Sequence, residues 1–370
     1  VVSGLARKRI VISSFDSPGN PNYNGGGAAI VDMIALRLAA QYDVTFVTAG
    51  HRGQPVTHDE VRYRYLPVGW AGPRGGQLLY HAMLPSVARC IPHDLWIENF
   101  TPPWSTSFVP VFSRAPVVAL AHNLSGEQMW QRYKLPFFLV ERAGLRFYRD
   151  VVVLSDTDGE QVRRSSPKTM VRLIRNGIPL PEADQRLVTA GEHVLFMGRI
   201  DIWHKGIDLL VSAYQRSGVG LPLVIAGAGT RAEERKLSAL LDGVGAGLEV
   251  RRVGHVSGER KQDLIARSAF TVMPSRVEAF GIVALEAMAW GKPVVHFSLP
   301  TLDWMEGDVG IAAYDVDGLA GAMRNLADDA DLRGKLGGMA RAAAWQLGGD
   351  LMADRYAVLV SNLLSEQGSR

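Results

Sequence analysis

The sequence has a single cysteine, Cys90, which excludes an internal disulfide and a cysteine-based zinc site. It has no run near the roughly 20 apolar residues that a membrane-crossing helix needs. Val1 to Arg9 contain no apolar core of a signal peptide, so a cytoplasmic location is the expectation. There is no dense basic run interleaved with aromatics, which argues against a nucleic-acid partner. There is no internal repeat and no low-complexity segment. No Gly-x-Gly-x-x-Gly loop is present, which counts against a nicotinamide-dependent dehydrogenase. What remains is the composition of a globular protein, with 47% apolar and 21% charged residues in 370, a length that suits two domains. The net charge of +3 is uneven. Residues 1–180 carry 20 Lys/Arg against 13 Asp/Glu, or +7, and residues 181–370 carry 20 against 24, or −4. A basic first half suits an acidic partner, such as a phosphorylated acceptor or an anionic membrane.

The most informative stretch runs from Pro274 to Pro293. Ala269 to Met273 is short, apolar and ended by Pro-Ser, the pattern of a buried strand. Gly281 to Trp290 has helical apolar spacing and stops at Gly291-Lys292-Pro293, after which Val294 to Phe297 starts another strand. The unit is therefore βαβ, and its crevice lies at the C-terminal end of the first strand. The free N–H groups around Phe280, Gly281, Ile282 and Val283 favour an anion there. Glu278 sits on the loop beside them, and Glu286 sits roughly 9 Å into the helix at about 1.5 Å per residue. One bound molecule could show hydroxyls to both carboxylates and a phosphate between them.

Earlier in the chain, Arg9 to Ser14 reads as a strand, followed by a polar loop that ends in Gly25-Gly26-Gly27 and a helix to about Tyr42. Glycines there let backbone N–H groups approach a phosphate. Asp94 to Asn99 and Pro116 to Asn123 read as strands ending in polar residues, where α/β sheets bind ligands. This makes Glu98 and Asn123 candidates for an acceptor hydroxyl and His122 a candidate site residue. Pro136 to Arg149 reads as an amphipathic helix, with Phe137, Val140, Gly144 and Phe147 on one stripe and Arg142, Arg146 and Arg149 on another. Its basic face is either ordinary solvated surface or a patch for a membrane or an anionic acceptor. After a polar, Pro-containing linker from Pro179 to Gly191, a strand ends in Gly198-Arg199 and a helix follows Lys205-Gly206. Arg offers a fork and Lys a point charge to phosphate oxygens. Leu221 to Gly229 reads as a strand and glycine turn. Asp156-x-Asp158 and Asp315-x-Asp317 lie outside the expected crevice and read as surface residues.

Glu278 and Glu286, with Phe280-Gly281 and Gly291-Lys292-Pro293-Val294 around them, resemble the E-x7-E signature of the retaining nucleotide-sugar glycosyltransferases of family GT4. Gly25-Gly26, Asn176-Gly177-Ile178 and the Gly198-Arg199…Lys205-Gly206 pattern resemble the same family, so the likeness covers nearly the whole chain. Tyr42-Asp43 stands where the family has Gly-His, and Ser298 to Asp303 replaces its glycine-rich loop.

The resemblance implies an α/β protein of GT-B fold, two Rossmann-like domains with parallel sheets facing a central cleft. They would be residues 1–180, completed by a C-terminal helix at 350–370, and residues 181–349. It implies transfer of a sugar from a UDP- or GDP-hexose to a small-molecule, glycan or lipid-linked acceptor, with retained configuration. The abundance of Ala, Gly, Val and Arg suggests a GC-rich bacterial gene, which fits cell-envelope glycans or secondary metabolites equally. Arg199 and Lys205 would hold the donor diphosphate, Glu278 and His122 the donor sugar, and Glu286 the ribose. No metal and no cofactor beyond the sugar nucleotide is implied. A GT-B-shaped epimerase or hydrolase and a non-catalytic sugar-nucleotide binder stand as alternatives, and peripheral contact with the inner membrane face through the first domain is compatible with all of them.

Overall fold

The computed structural model describes residues 7–20, 25–50, 60–101, 105–122, 124, 126–127, 130, 134–182, 191–245, 247–305 and 309–368. The chain divides into two compact units, Val1–Gly177 with Gly349–Arg370, and Ile178–Gly348.

The first unit is built on β1 (Arg9–Ser13), β2 (Asp43–Ala49), β3 (Val61–Leu66), β4 (Leu95–Asn99), β5 (Val117–Ala121), β6 (Asp150–Val153) and β7 (Met170–Leu173). They form one parallel sheet in the order β3-β2-β1-β4-β5-β6-β7. The central strands are buried along their whole length, which is why they read as continuous apolar runs rather than alternating ones. Trp96 fills the core with its indole N–H donated to Ser13 Oγ at 2.8 Å. The last helix, Gly349–Gly368, belongs to this unit. Met352, Tyr356, Val360 and Leu363 form its buried stripe. Arg37 ties the helix Gly26–Ala39 to it through Asp354 at 2.6 Å.

The second unit holds β8 (His193–Met197), β9 (Leu223–Ala226), β10 (Val250–Gly254), β11 (Ser268–Met273), β12 (Val294–Phe297) and β13 (Ile311–Ala313), parallel in the order β10-β9-β8-β11-β12-β13.

Each sheet has one point where the strand order reverses, between β1 and β4 in the first and between β8 and β11 in the second. Loops leave the two strands of such a point in opposite directions and open a crevice at their C-terminal ends. Gly198-Arg199 follows β8 and Pro274 to Glu278 follows β11, so both strong motifs of the second half lie at its switch point.

The amphipathic helix differs from its expected form. It spans Phe137–Leu145, and it buries Glu141, Gly144 and Leu145, while Phe147 is exposed. A buried carboxylate turns the helix. Glu141 Oε2 accepts from Ser105 Oγ at 2.5 Å and from the Gly126 N–H at 3.0 Å. Among the described residues no helix is long and apolar enough to cross a membrane.

Candidate functional site

At the switch point of the second unit, two loops are pressed together. Lys205-Gly206 precedes the helix Ile207–Ser217, and Gly206 adopts φ +61°. A Cβ on Gly206 would lie 1.9 Å from the Pro274 carbonyl oxygen, so only glycine lets the β8 loop reach the end of β11. Arg276 stitches the loops further. Its N–H donates to the His204 carbonyl at 2.9 Å, and its guanidinium grips Asp208 with 2.8 and 2.7 Å bonds. Burial works to raise the Asp208 pKa, but the Arg276 fork outweighs it and holds the carboxyl below the usual range.

This packing brings Lys205 to Glu278. Lys205 Nζ donates to Glu278 Oε2 at 2.6 Å, and Ser275 Oγ reaches the same oxygen at 3.3 Å. The backbone of Glu278 to Phe280 is braced from the loop after β12. Thr301 Oγ1 donates to the Glu278 carbonyl at 2.5 Å, Trp304 Nε1 donates to the Phe280 carbonyl at 2.8 Å, and the Trp304 and Phe280 rings stack at 4.8 Å. The segment Ser298 to Asp303, which departs from the family's glycine-rich pattern, thus leads into a brace for the glutamate loop. Thr301 and Trp304 carry no motif, and sequence reasoning missed them.

Gly281 then caps the helix Ile282–Ala289 with φ +81°, a conformation that suits glycine. No side chain caps this helix start, and no acidic residue lies in its first turn. The N-terminal amides of Ile282 and Val283 thus keep the anion-favouring end of the dipole. Glu286, one turn further, accepts from Lys261 Nζ at 2.7 Å. Lys261 is a third residue that the sequence reading missed. Its helix, Gly258–Arg267, is amphipathic, and nothing in its own pattern marks one lysine among several charges.

Arg199 is less committed. Its side chain is 67% exposed, with Asp201 at 3.8 Å. Asp201 in turn accepts from the His204 N–H at 3.1 Å and lies 3.0 Å from the His204 ring Nδ1. Burial opposes ionisation of Asp201, but these donors prevail and lower its pKa. Gly227 and Gly229 have a packing role, since a Cβ on either would meet the backbone oxygen of Gly198 or Ile200 within 2.4 Å. The two Asp-x-Asp pairs are taken up locally. Asp315 accepts from the Gly318 N–H, Asp317 pairs with Arg216, and Asp158 accepts from the Ser155 hydroxyl.

In the first unit, the ends of β1, β4 and β5 lie side by side. Gly25 caps the helix Gly26–Ala39 in an extended conformation, and no acidic residue lies in that helix's first turn. His122 follows β5. Both its ring nitrogens are buried with no hydrogen-bond partner among the described residues, and burial lowers its pKa to about 4, so it is neutral at pH 7. Asn99, at the end of β4, donates to Ser14 Oγ at 3.0 Å while its buried Oδ1 has no partner among the described residues. Burial raises Asp16, just after β1, to about pKa 7. Neither Asp16 nor Asn99 stood out in the sequence, because a polar residue at a strand end is common.

Glu98 requires a correction. It is buried, and both its oxygens are engaged, Oε1 by the Ser107 N–H at 2.7 Å and Oε2 by the Tyr148 hydroxyl at 2.5 Å. Burial outweighs these donors and raises its pKa to about 7. The carboxylate holds the loop after β4 in place and has no oxygen turned toward an acceptor. Asn123, the other acceptor candidate, lies outside the described residues.

Comparison with known proteins follows the same two halves. The family described as Glycosyltransferase Family 4 matches residues 24–181, and the one described as Glycosyl transferases group 1 matches residues 191–329. A phosphatidyl-myo-inositol mannosyltransferase of Propionibacterium freudenreichii is 34% identical over 216 residues, covering 53% of each chain. A glycogen synthase of Mycobacterium tuberculosis is 34% identical over 174 residues, covering 43% of this chain and 40% of its own. The chain thus spans about half the length of these curated relatives. A D-inositol 3-phosphate glycosyltransferase of Streptomyces avermitilis is 28% identical over 354 residues, covering 89% of this chain and 71% of its own. Among solved structures, the sucrose-phosphate synthase of Thermosynechococcus elongatus superposes with a TM-score of 0.82 at 24% identity, over 97% of this chain and 100% of that one. At that identity the likeness concerns the fold, two parallel-sheet α/β units of the GT-B type.

Proposed function

The chain belongs to glycosyltransferase family 4, and from that premise we propose that it moves a hexose from a nucleoside diphosphate sugar to an acceptor hydroxyl with retained configuration. The observation that carries this reading is the convergence at the β8/β11 switch point. A lysine, a glutamate and an uncapped helix start share one crevice end, with a second glutamate one turn away.

In this reading Lys205 exchanges Glu278 for the donor diphosphate, Arg199 joins it, and the amides after Gly281 complete the neutralisation of the leaving group. These charges serve in place of a divalent metal. Glu278, released from Lys205, orients the donor sugar, and Glu286, steadied by Lys261, binds the ribose. In the first unit, neutral His122 supplies a ring nitrogen to the sugar, and the Gly25-Gly26 amides serve phosphate. As the C1–O bond to the leaving phosphate breaks, the acceptor oxygen bonds to C1 on the same face. Its proton passes to a leaving phosphate oxygen.

Relatives named for phosphatidyl-inositol and inositol phosphate support an acceptor that is hydroxylated and anionic. The +7 of the first half supports the same acceptor and peripheral contact with an anionic membrane face. Incubation with UDP- and GDP-hexoses labelled in the sugar tests the reaction. The reading expects label in an acceptor. Label recovered as free sugar would make the protein a hydrolase, and label in an isomeric nucleotide sugar an epimerase.

A further inference from the structure

We infer that the face carrying Leu135, Leu139, Ala143 and Phe147 docks on an acidic lipid bilayer, with an anionic headgroup seated among Arg142, Arg146 and Arg164. The helix Phe137–Leu145 turns Glu141, Gly144 and Leu145 inward. Its exposed residues are Leu139, Arg142 and Ala143, so a leucine stands where a water-facing helix is normally polar. Leu135, Leu139 and Phe147 are 54%, 55% and 52% exposed, and Ala143 is exposed between them. Leu139 and Ala143 lie four residues apart on the helix, with Leu135 just before its start and Phe147 just past its end. A single exposed leucine needs no explanation, whereas several exposed apolar side chains on one short segment mark an interaction surface. Trp130, 41% exposed, stands beside the helix with its ring edge-on to Phe138 at 5.9 Å.

The stripe is fixed facing outward. Glu141 is held by Ser105 and Gly126, and a Cβ on Gly144 would lie 2.1 Å from Thr106 Cγ2, so the opposite face is keyed into the unit. Rolling the leucines inward would break both.

Charge identifies the occupant. Arg142 and Arg146 each precede a stripe residue by one position and flank the apolar row. They also line a cavity of about 580 Å³ with Thr157, Gln161, Arg164 and Ser165. Glu127 and Glu160 share that wall but are paired with Arg142 at 3.0 Å and Arg164 at 2.9 Å, and Arg146 has no ion-pair partner among the described residues. Apolar side chains that reach the acyl boundary beside arginines at phosphate level fit a bilayer interface. A soluble anion would leave the stripe without a role, and an apolar protein partner would leave the arginine cavity without one.

The inference deepens the peripheral contact proposed above and does not involve the transfer chemistry, so nucleotide binding measured on the same samples keeps the two apart. The full chain is sedimented with vesicles of phosphatidylcholine alone or mixed with phosphatidylglycerol. The acidic vesicles should bind at least about tenfold more protein at low salt, since arginines close to an anionic surface are drawn to it within a Debye length. Arg142→Glu with Arg146→Glu should abolish that preference, and Leu135→Ser with Leu139→Ser should reduce binding at every salt concentration. Thermal unfolding should stay at the wild-type midpoint in both. Equal partition into the two vesicle types, or indifference to both double variants, overturns the inference. So does a dimer, seen by light scattering, that the leucine substitutions dissolve. Loss of vesicle binding on adding millimolar inorganic phosphate, at ionic strength matched with chloride, assigns the arginine cavity to free phosphate and also overturns it.

Discussion

Replacing Lys205 by alanine separates what this side chain does for the fold from what it does for the reaction. Its ammonium lies 2.6 Å from Glu278 Oε2, with the two side chains 23% and 15% exposed. Without Lys205, Glu278 keeps only the Ser275 hydroxyl at 3.3 Å among the described donors. Orphaning a fully buried charge costs about 3–5 kcal/mol. Residual exposure lets water take over part of the role, so the expected loss of stability is about 1–2 kcal/mol, read from urea unfolding. The reaction should lose more. A preorganised charge aimed at a leaving group contributes about 2–4 kcal/mol, a fall of roughly 30- to 1,000-fold in kcat/KM. The double variant Lys205→Ala with Glu278→Gln removes the orphaned charge. It should therefore recover the stability and none of the turnover. If kcat/KM in Lys205→Ala stays near wild type while stability drops, Lys205 is only a partner for Glu278, and the reasoning about leaving-group neutralisation fails.

The remaining predictions address other parts of the structure. Glu278→Gln should lower kcat and leave the affinity for a bare nucleoside diphosphate nearly unchanged, because its partner is the sugar; an equal loss of nucleotide affinity in calorimetry contradicts this. Gly206→Ala should destabilise by about 1–3 kcal/mol or more, since its Cβ would overlap the Pro274 carbonyl at a positive φ, and an unmoved urea midpoint would rule out the close approach of the two loops. Glu98, raised by burial from 4.5 to about 7, holds its proton more tightly in the folded state. Its contribution to stability is therefore present at low pH and is lost as pH rises between those values, by at most about 1.4 kcal/mol per pH unit. Glu98→Gln should remove that slope relative to wild type in unfolding titrations from pH 4.5 to 7. An identical slope in the variant would place Glu98 in contact with water.

The parts legible in the sequence were those set by continuous apolar runs and by glycine. β4, β5, β8 and β11 are buried on both faces and announce themselves as short apolar segments, and a following polar or glycine residue marks the end where ligands bind. The places of Glu278 and Glu286 on the loop and helix after β11, and of Arg199 and Lys205 after β8, were legible because strand, loop and helix start constrain one another within a few residues. Glu98 was misread because a strand end does not reveal which loop folds over it. Here Ser105 and Phe108, both at positive φ, bend the following loop back so that the Ser107 N–H caps the carboxylate. The helix after Pro136 was misread for a related reason. Of its expected stripe Gly144 is buried and Phe137 and Val140 are half-buried, but the helix ends before Phe147, which is exposed. Glu141, polar in any periodicity, is buried by Ser105 and Gly126. Thr301, Trp304 and Lys261 escaped because their partners lie more than 20 residues away.

The central claim is that the end of the β8/β11 crevice binds the diphosphate and ribose of a sugar nucleotide without a metal. Calorimetric titration of UDP and of GDP into the full chain in the presence of EDTA tests it most directly, with the Glu286→Ala variant alongside. The account predicts saturable one-to-one binding of at least one of the two in EDTA, weakened by at least about tenfold in Glu286→Ala through loss of a charge-assisted ribose contact. Binding that appears only when a divalent cation is added, or that is unchanged in Glu286→Ala, would contradict it.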